Sequence, residues 1–384
     1  MNAKKMVLLL LILSNILNVF TGRGLAAGSA LNSDFEEGDR IYIQLVNGIA
    51  LLIMAYSVLK SKCTWLPFYK NLIWMCTLVV LYLFINTIFP SENFVFASYV
   101  RLITNFMVLL FFICQEKYEN SCLLRIYIVS FIIQIVWKII MGQVFNFETL
   151  GAGDTASIGL IFIIPLILMY FKKMTMICLL LVCLFFIVLS LRRTCIIAFC
   201  LIIPYLWKYF RGRLNRYFIG FSILLFSIIL FYIWDIVGES LIYRIDEMIY
   251  GNEITGTRGS GRDSFWMMLL EDFLKGNGIV FGYGVGRIAD FYYSKGLNYL
   301  PHAHNDFLEI GYTFGLIGLF LWIVFLWNLY LYSQSRLLSS DNKIILKISL
   351  ISYLFVGFFS GCLLRAEFIP LGIAMSNALN LNKR

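Results

Sequence analysis

Hydrophobic runs long enough to cross a bilayer recur from one end of the chain to the other, separated by short polar segments. Twelve are read, at about 6–20, 41–59, 71–89, 95–114, 126–142, 157–171, 174–190, 194–207, 217–236, 304–333, 345–363 and 366–380. The pattern predicts an all-α, polytopic integral membrane protein, with 1–384 forming a single membrane domain. One long polar stretch, about 237–303, interrupts the series between the ninth and tenth spans. Within it, residues 260–275 read as a helix, with Phe265, Trp266, Leu269, Leu270, Phe273 and Leu274 on its apolar side and Gly276 closing it. This helix, about 262–275, is expected to lie in the membrane interface. Beyond it, Gly276-Asn277-Gly278 and Gly282-Tyr283-Gly284-Val285-Gly286 mark tight turns.

Composition agrees with the pattern. The chain is 60% hydrophobic and 14% charged, where a soluble domain carries about 25% charged residues. A net charge of +9 would suggest nucleic acid in a soluble protein; here it reads as loop bias. With Lys4 and Lys5 placed inside, the alternate loops carry Lys60, Lys62 and Lys70, then Lys117 and Arg125, then Lys172 and Lys173. Lys208, Arg211, Arg213 and Arg216 follow, then Arg336, Lys343 and Lys347, and finally Lys383 and Arg384. The opposite loops hold Asp34, Glu36, Glu37, Asp39, Glu92, Glu148 and Asp154. This is the positive-inside distribution, and it puts 237–303, where acidic residues outnumber basic ones, on the external side. Residues 1–30 have a second reading as a signal peptide, which leaves the remaining topology unchanged. The nine cysteines include no C-x-x-C pair and fall mostly in hydrophobic runs, so no disulfide framework or metal site is expected.

Several charges run against the bias. Arg192 and Arg193 end the seventh span on the external side, Arg365 sits in a short external turn, and Arg101 and Lys138 fall in the outer halves of spans. Snorkelling to headgroup phosphates is one reading, preferred for Lys138. A membrane-level pocket for an anion is the other, preferred for the Arg192/Arg193 doublet. The chain's two histidines, His302 and His304, stand together where the long loop meets the tenth span. An imidazole at a membrane boundary is a candidate for acid–base chemistry; the competing role is a structural hydrogen bond. Asp306 and Glu309 in the first turns after it suit a helix N-terminus. Gly282, Gly284 and Gly286 lack the strand and βαβ unit of a dinucleotide loop and read as turn geometry. Gly311, Gly315 and Gly318 share a helical face that favours close helix packing.

These residues together resemble the O-antigen polymerase and ligase superfamily. The carriers are His304-Asn305-x-x-Leu308-x-x-Gly311-x-x-x-Gly315-x-x-Gly318, the glycines 282, 284 and 286 before it, Arg262 with Trp266, and Leu191-Arg192-Arg193-Thr194 at an external helix end. The resemblance covers chiefly 186–320 plus the topology. It implies a GT-C-like membrane glycosyltransferase, metal-independent and without a cofactor, that takes an undecaprenyl-pyrophosphate-linked oligosaccharide as donor. His304 is then the catalytic base or acceptor-orienting group, and Arg193 and Arg262 bind pyrophosphate. Arg192, Arg101, Arg258, Arg365 and Asn305 are secondary candidates, and Arg192 and Arg193 compete for one role. An in-line displacement would invert the anomeric centre.

The first expectation is a polymerase of lipid-linked repeat units making an O-antigen or capsule. The second is a ligase moving the finished glycan to lipid A core or another acceptor. A flippase for the same lipid-linked glycan is the rival of another class, disfavoured because the candidate site is external rather than at midplane. The partners expected are the lipid-linked donor, the bilayer, and a chain-length regulator and flippase of the same pathway, with no nucleic acid. The expected location is the bacterial inner membrane, the site facing the periplasm. Tyr243, Tyr250, Tyr283, Tyr292, Tyr293 and Tyr299 are candidates for stacking on sugars or for an interfacial belt.

Overall fold

The computed structural model describes residues 2–20, 37–60, 67–91, 96–114, 121–145, 157–190, 192–211, 262–297 and 302–380. It is all-helical among those residues. Before the long loop come α1 (Ala3–Phe20), α2 (Glu37–Lys60), α3 (Pro67–Ile88), α4 (Phe96–Cys114), α5 (Ser121–Phe145), α6 (Ser157–Tyr170), α7 (Lys173–Leu189) and α8 (Arg193–Phe210). After it come α9 (Arg262–Lys275), α10 (Arg287–Ser294), α11 (Asp306–Gln334), α12 (Ser340–Ser360), a 3-10 turn (Ala366–Phe368) and α13 (Ile369–Asn380). Eleven of the twelve hydrophobic runs coincide with helices; the ninth, 217–236, lies outside the described residues, as does all of 237–261.

Among the described residues, five helices are long and apolar enough to cross a membrane: Lys70–Ile88, Ser121–Ile140, Arg193–Phe210, Asp306–Gln334 and Ser340–Ser360. Large apolar side chains cover their outward faces, among them Trp74 and Phe84 on α3, Ile133 on α5, Trp207 on α8 and Phe320 and Trp327 on α11. Exposed apolar surface on this scale needs a lipid partner, and the protein is a multi-pass membrane protein.

Two short helices sit inside the bundle instead. At about 1.5 Å per residue, α6 and α13 fall well short of a ~30 Å hydrocarbon core. α6 is apolar all round, and Ser157 through Leu168 are buried without a break, as expected of a core helix. It packs against α5, α7, α12 and α13. Trp322 of α11 is fully buried, stacks on Phe325 and donates its Nε1–H to the Tyr353 hydroxyl of α12 at 2.8 Å. Such packing of α11 on α12, and of α3 on α11, sets the start of α11 beside the ends of α3 and α12.

α9 and α10 form a second, smaller core on the loop side. Leu269 and Phe273 of α9 are buried with Ile288 and Tyr292 of α10, Ala303, and Tyr312 of α11. The apolar side expected for α9 therefore meets protein, while Met267 and Leu274 stay exposed. Burial of each large side chain here stabilises by about 1.5–3 kcal/mol. Polar contacts on Asp272 orient α9: the Tyr312 hydroxyl of α11 donates to its Oδ2 at 2.7 Å, and the Tyr283 hydroxyl, from the segment before α10, to its carbonyl at 3.1 Å.

Candidate functional site

The site is built where the long loop enters α11. Asn305 is the N-cap: its side-chain oxygen accepts from Phe307 N–H at 2.9 Å and Leu308 N–H at 3.1 Å. The expected span from 304 thus begins as a helix at Asp306, and the Asn305 side-chain oxygen is engaged by its own helix. Just before the cap, His304 has φ +54, the one non-glycine with positive φ among the described residues. A left-handed backbone costs an L-residue about 1–2 kcal/mol and persists where surroundings over-determine it.

The surroundings do so. Ala303 is buried, and both its backbone groups are held by side chains from elsewhere. Its N–H donates to Glu309 Oε2 at 2.9 Å, and its carbonyl accepts from Trp266 Nε1–H at 2.8 Å. Glu309 is itself buried; its Oε1 accepts from the Tyr99 hydroxyl at 3.4 Å and lies 3.6 Å from His302 Nδ1. The Tyr99 hydroxyl accepts in turn from Gly286 N–H at 3.3 Å. On the other side, Gly361 (φ +61) presses against the His304 backbone; a Cβ there would lie 3.2 Å from the His304 carbonyl carbon.

That contact joins the histidine to the turn after α12. Asp306 is buried, and its Oδ1 accepts from Cys362 N–H at 2.8 Å and Leu363 N–H at 3.0 Å, while the Cys362 thiol donates to Oδ2 at 3.1 Å. From the opposite side, Asn105 of α4 donates to the carbonyls of Leu363 at 2.6 Å and Arg365 at 2.9 Å. The Ser360 hydroxyl donates to Thr194 Oγ1 at 3.2 Å, so the first turn of α8 borders the same turn. Arg193 opens α8 half-buried, and Arg192 precedes it at 8% exposure, its carbonyl accepting from Cys195 and Ile196. Arg365 is half-buried in the turn itself. Hence the chain segments that carry Arg192, Arg193 and Arg365 meet at the turn whose Gly361 packs on the His304 backbone.

The remaining residues read from the sequence fall differently. Arg101 is exposed on α4, the helix that sends Tyr99 and Asn105 inward. Arg262 is the first residue of α9, one turn before Trp266; its side chain, and all of Arg258, lie outside what the structure describes. Asp306 and Glu309 stand in the first turn of α11, as expected, and their carboxylates also hold backbone outside it: two amides of the turn after α12 on Asp306, and that of Ala303 on Glu309. Tyr292 is buried, Tyr283 gives one face to Tyr312 at 4.6 Å, and Tyr293 is exposed, while Tyr243, Tyr250 and Tyr299 lie outside the described residues. Burial, helped by the Glu309 carboxylate, holds the Tyr292 phenol above its ordinary pKa, consistent with its role as a donor to the Phe265 carbonyl at 3.3 Å.

The glycines have a shared purpose. Gly315 (φ +67, ψ −169) breaks α11, where close helix packing had been expected. A continuous helix would bond Leu316 N–H to Tyr312 O and Ile317 N–H to Thr313 O. Instead Leu316 and Ile317 donate to Ile279 and Val280 at 2.8 and 3.3 Å, and Tyr283 and Gly284 donate to Tyr312 and Thr313 at 2.8 and 3.0 Å. The segment 279–284 thus fills the gap with four bonds, which pair the two amides and two carbonyls that the break takes out of the helical ladder. The approach is so close that a Cβ on Gly282 would lie 2.3 Å from the Thr313 oxygen, and one on Gly315 2.2 Å from the Val280 oxygen. Tyr82 of α3 braces the segment by donating to the Phe281 carbonyl.

The turn at Arg365 stands where the sequence put it; what sequence reasoning missed are its fasteners Asp306 and Asn105, the Tyr99–Glu309 contact, and the two bonds on Ala303. Gly361 after a long apolar helix was a further local signal, for where that helix ends. Against known proteins, residues 178–323 match the O-antigen ligase family. That segment takes in Arg192, Arg193, α9, the glycine segment, both histidines and the first part of α11. No curated protein matches the chain.

Proposed function

We propose that this membrane protein, whose residues 178–323 match the O-antigen ligase family, is a glycosyltransferase that polymerises undecaprenyl-pyrophosphate-linked repeat units into a surface polysaccharide. The observation that carries the reading is the His304 corner: an imidazole on a backbone held from three sides, bordering a helix start and a turn that bring Arg192, Arg193 and Arg365. Such a set suits displacement at an activated sugar. The acceptor hydroxyl oxygen attacks the anomeric carbon and the bond from that carbon to the pyrophosphate oxygen breaks. The hydroxyl proton passes to His304, and polyprenyl pyrophosphate leaves with charge that guanidinium groups stabilise without a metal. Attack opposite the leaving group inverts the centre. Arg193 and Arg262 are assigned to the pyrophosphate, with Arg192, Arg101, Arg258 and Arg365 as further cationic contacts. The site faces the periplasm from the inner membrane.

A ligase reading, in which the same donor chemistry serves a lipid A core or other acceptor, is favoured by the family that matches. Purified protein in liposomes, given its lipid-linked repeat unit and a chelator, separates these. A glycan ladder with wild type, lost by ~10²–10⁴-fold in His304→Ala, supports polymerisation. Transfer only when an acceptor is added selects the ligase, and full activity in His304→Ala rejects the base assignment.

A further inference from the structure

The two backbone bonds on Ala303 do more than close a loop. Ala303 is the residue between the histidines, and it contributes no functional side chain of its own. Yet its N–H is taken by a buried carboxylate, Glu309 Oε2 at 2.9 Å, and its carbonyl by an indole N–H, Trp266 Nε1 at 2.8 Å. These bonds flank the peptide that leads directly into the left-handed His304. With Asn305 fixed as the cap behind it and Gly361 against its backbone, the point from which the His304 side chain leaves the chain, its Cα–Cβ bond, is set by its neighbours' bonds. Trp266 reaches this point from α9, while its ring packs edge-on against Phe358 of α12 at 5.9 Å. It lies one helical turn after Arg262. The indole therefore ties the external-loop helix to the histidine's backbone.

We infer that Trp266 and Glu309 are positioning residues for His304, and that Trp266 couples the placement of α9, with its leading arginine, to the direction of the imidazole. The inference rests on the glycosyl-transfer reading for its kinetic consequence, though not for its structural one. Misplacement of a reacting group by about 1 Å costs on the order of 10²-fold in rate. Trp266→Phe keeps an aromatic ring against Phe358 and removes only the N–H donor. Glu309→Gln keeps an oxygen acceptor for Ala303 N–H, and Glu309→Leu removes it.

The test uses the full-length protein in two assays. Because the chain has two histidines, selective ¹³Cε1-histidine labelling gives two imidazole signals, assigned with His302→Gln. In Trp266→Phe and Glu309→Leu the His304 signal is expected to shift, while Glu309→Gln leaves it near its wild-type place. In the glycan assay the two disruptive variants are expected to lose roughly 10–100-fold in kcat, with KM for the lipid-linked donor within about threefold and Glu309→Gln close to wild type. An unshifted His304 signal in folded Trp266→Phe overturns the inference whatever the activity. So does an unchanged kcat, or a loss confined to KM. If wild-type protein makes no glycan product, the functional reading fails, and the imidazole signals still decide the positioning role.

Discussion

At the scale of single residues, Asp306 shows how one carboxylate organises the site. It takes two backbone N–H groups and a thiol from the turn after α12. Removing it leaves buried donors without a partner, at about 1–3 kcal/mol each. Asp306→Ala is therefore expected to lose about 2–5 kcal/mol, read as a lower thermal midpoint in detergent, while Asp306→Asn retains an oxygen acceptor and most of the stability. An unchanged midpoint in the alanine variant would remove Asp306 from this role. His304 was legible in the sequence because histidine is scarce and its place at a membrane boundary is unusual. Its fasteners were not. A bond from Trp266 or Glu309 to a backbone group leaves no mark on the residue type that receives it, and Ala303 looks like any small loop residue. Asp306 was visible as an acid near a helix start, but its partners lie 56 residues further on, a distance no local pattern spans.

At the scale of elements, the break in α11 separates glycines that look alike in sequence. Gly315 and Gly282 meet backbone at under 2.6 Å if given a Cβ, and both have positive φ. Gly311 would meet only the tip of Leu319 at 3.7 Å. Gly315→Ala and Gly282→Ala are expected to abolish a monodisperse peak on size-exclusion chromatography, whereas Gly311→Ala elutes as wild type. Equal behaviour of all three would mean the segment 279–284 does not dock into the break. The i, i+4, i+7 spacing of Gly311, Gly315 and Gly318 reads as one helical face only while the helix is continuous, which is why periodicity pointed to packing and missed a discontinuity. Where periodicity was a sound guide, it worked for a physical reason: hydrocarbon tolerates only apolar helix, so the runs for α3, α5, α8, α11 and α12 had to be long and unbroken in hydropathy. The interior helices α6 and α13 escape that constraint, and their shortness was legible only as weak, ambiguous runs.

At the scale of the whole molecule, loop charge and the external core make a joint prediction about sidedness. Ser294, exposed at the end of α10, should lie outside, and Leu337, exposed between α11 and α12, inside. A membrane-impermeant maleimide added to intact spheroplasts is expected to label Ser294→Cys above the parent chain, whose exposed thiols include Cys122, Cys178 and Cys200. Leu337→Cys should react only after permeabilisation; the reverse order would invert the topology. The patched break in α11 also bears on how the chain is made. The segment 279–284 leaves the ribosome before 312–317, so the four bonds that complete the helix are waiting when its discontinuity arrives. A chain shortened within that segment would deliver α11 to the bilayer with unpaired amides and carbonyls, each costing several kcal/mol in hydrocarbon. The last helices would then lack a stable seat, so nascent-chain quality control should degrade such truncations even though every hydrophobic span is intact.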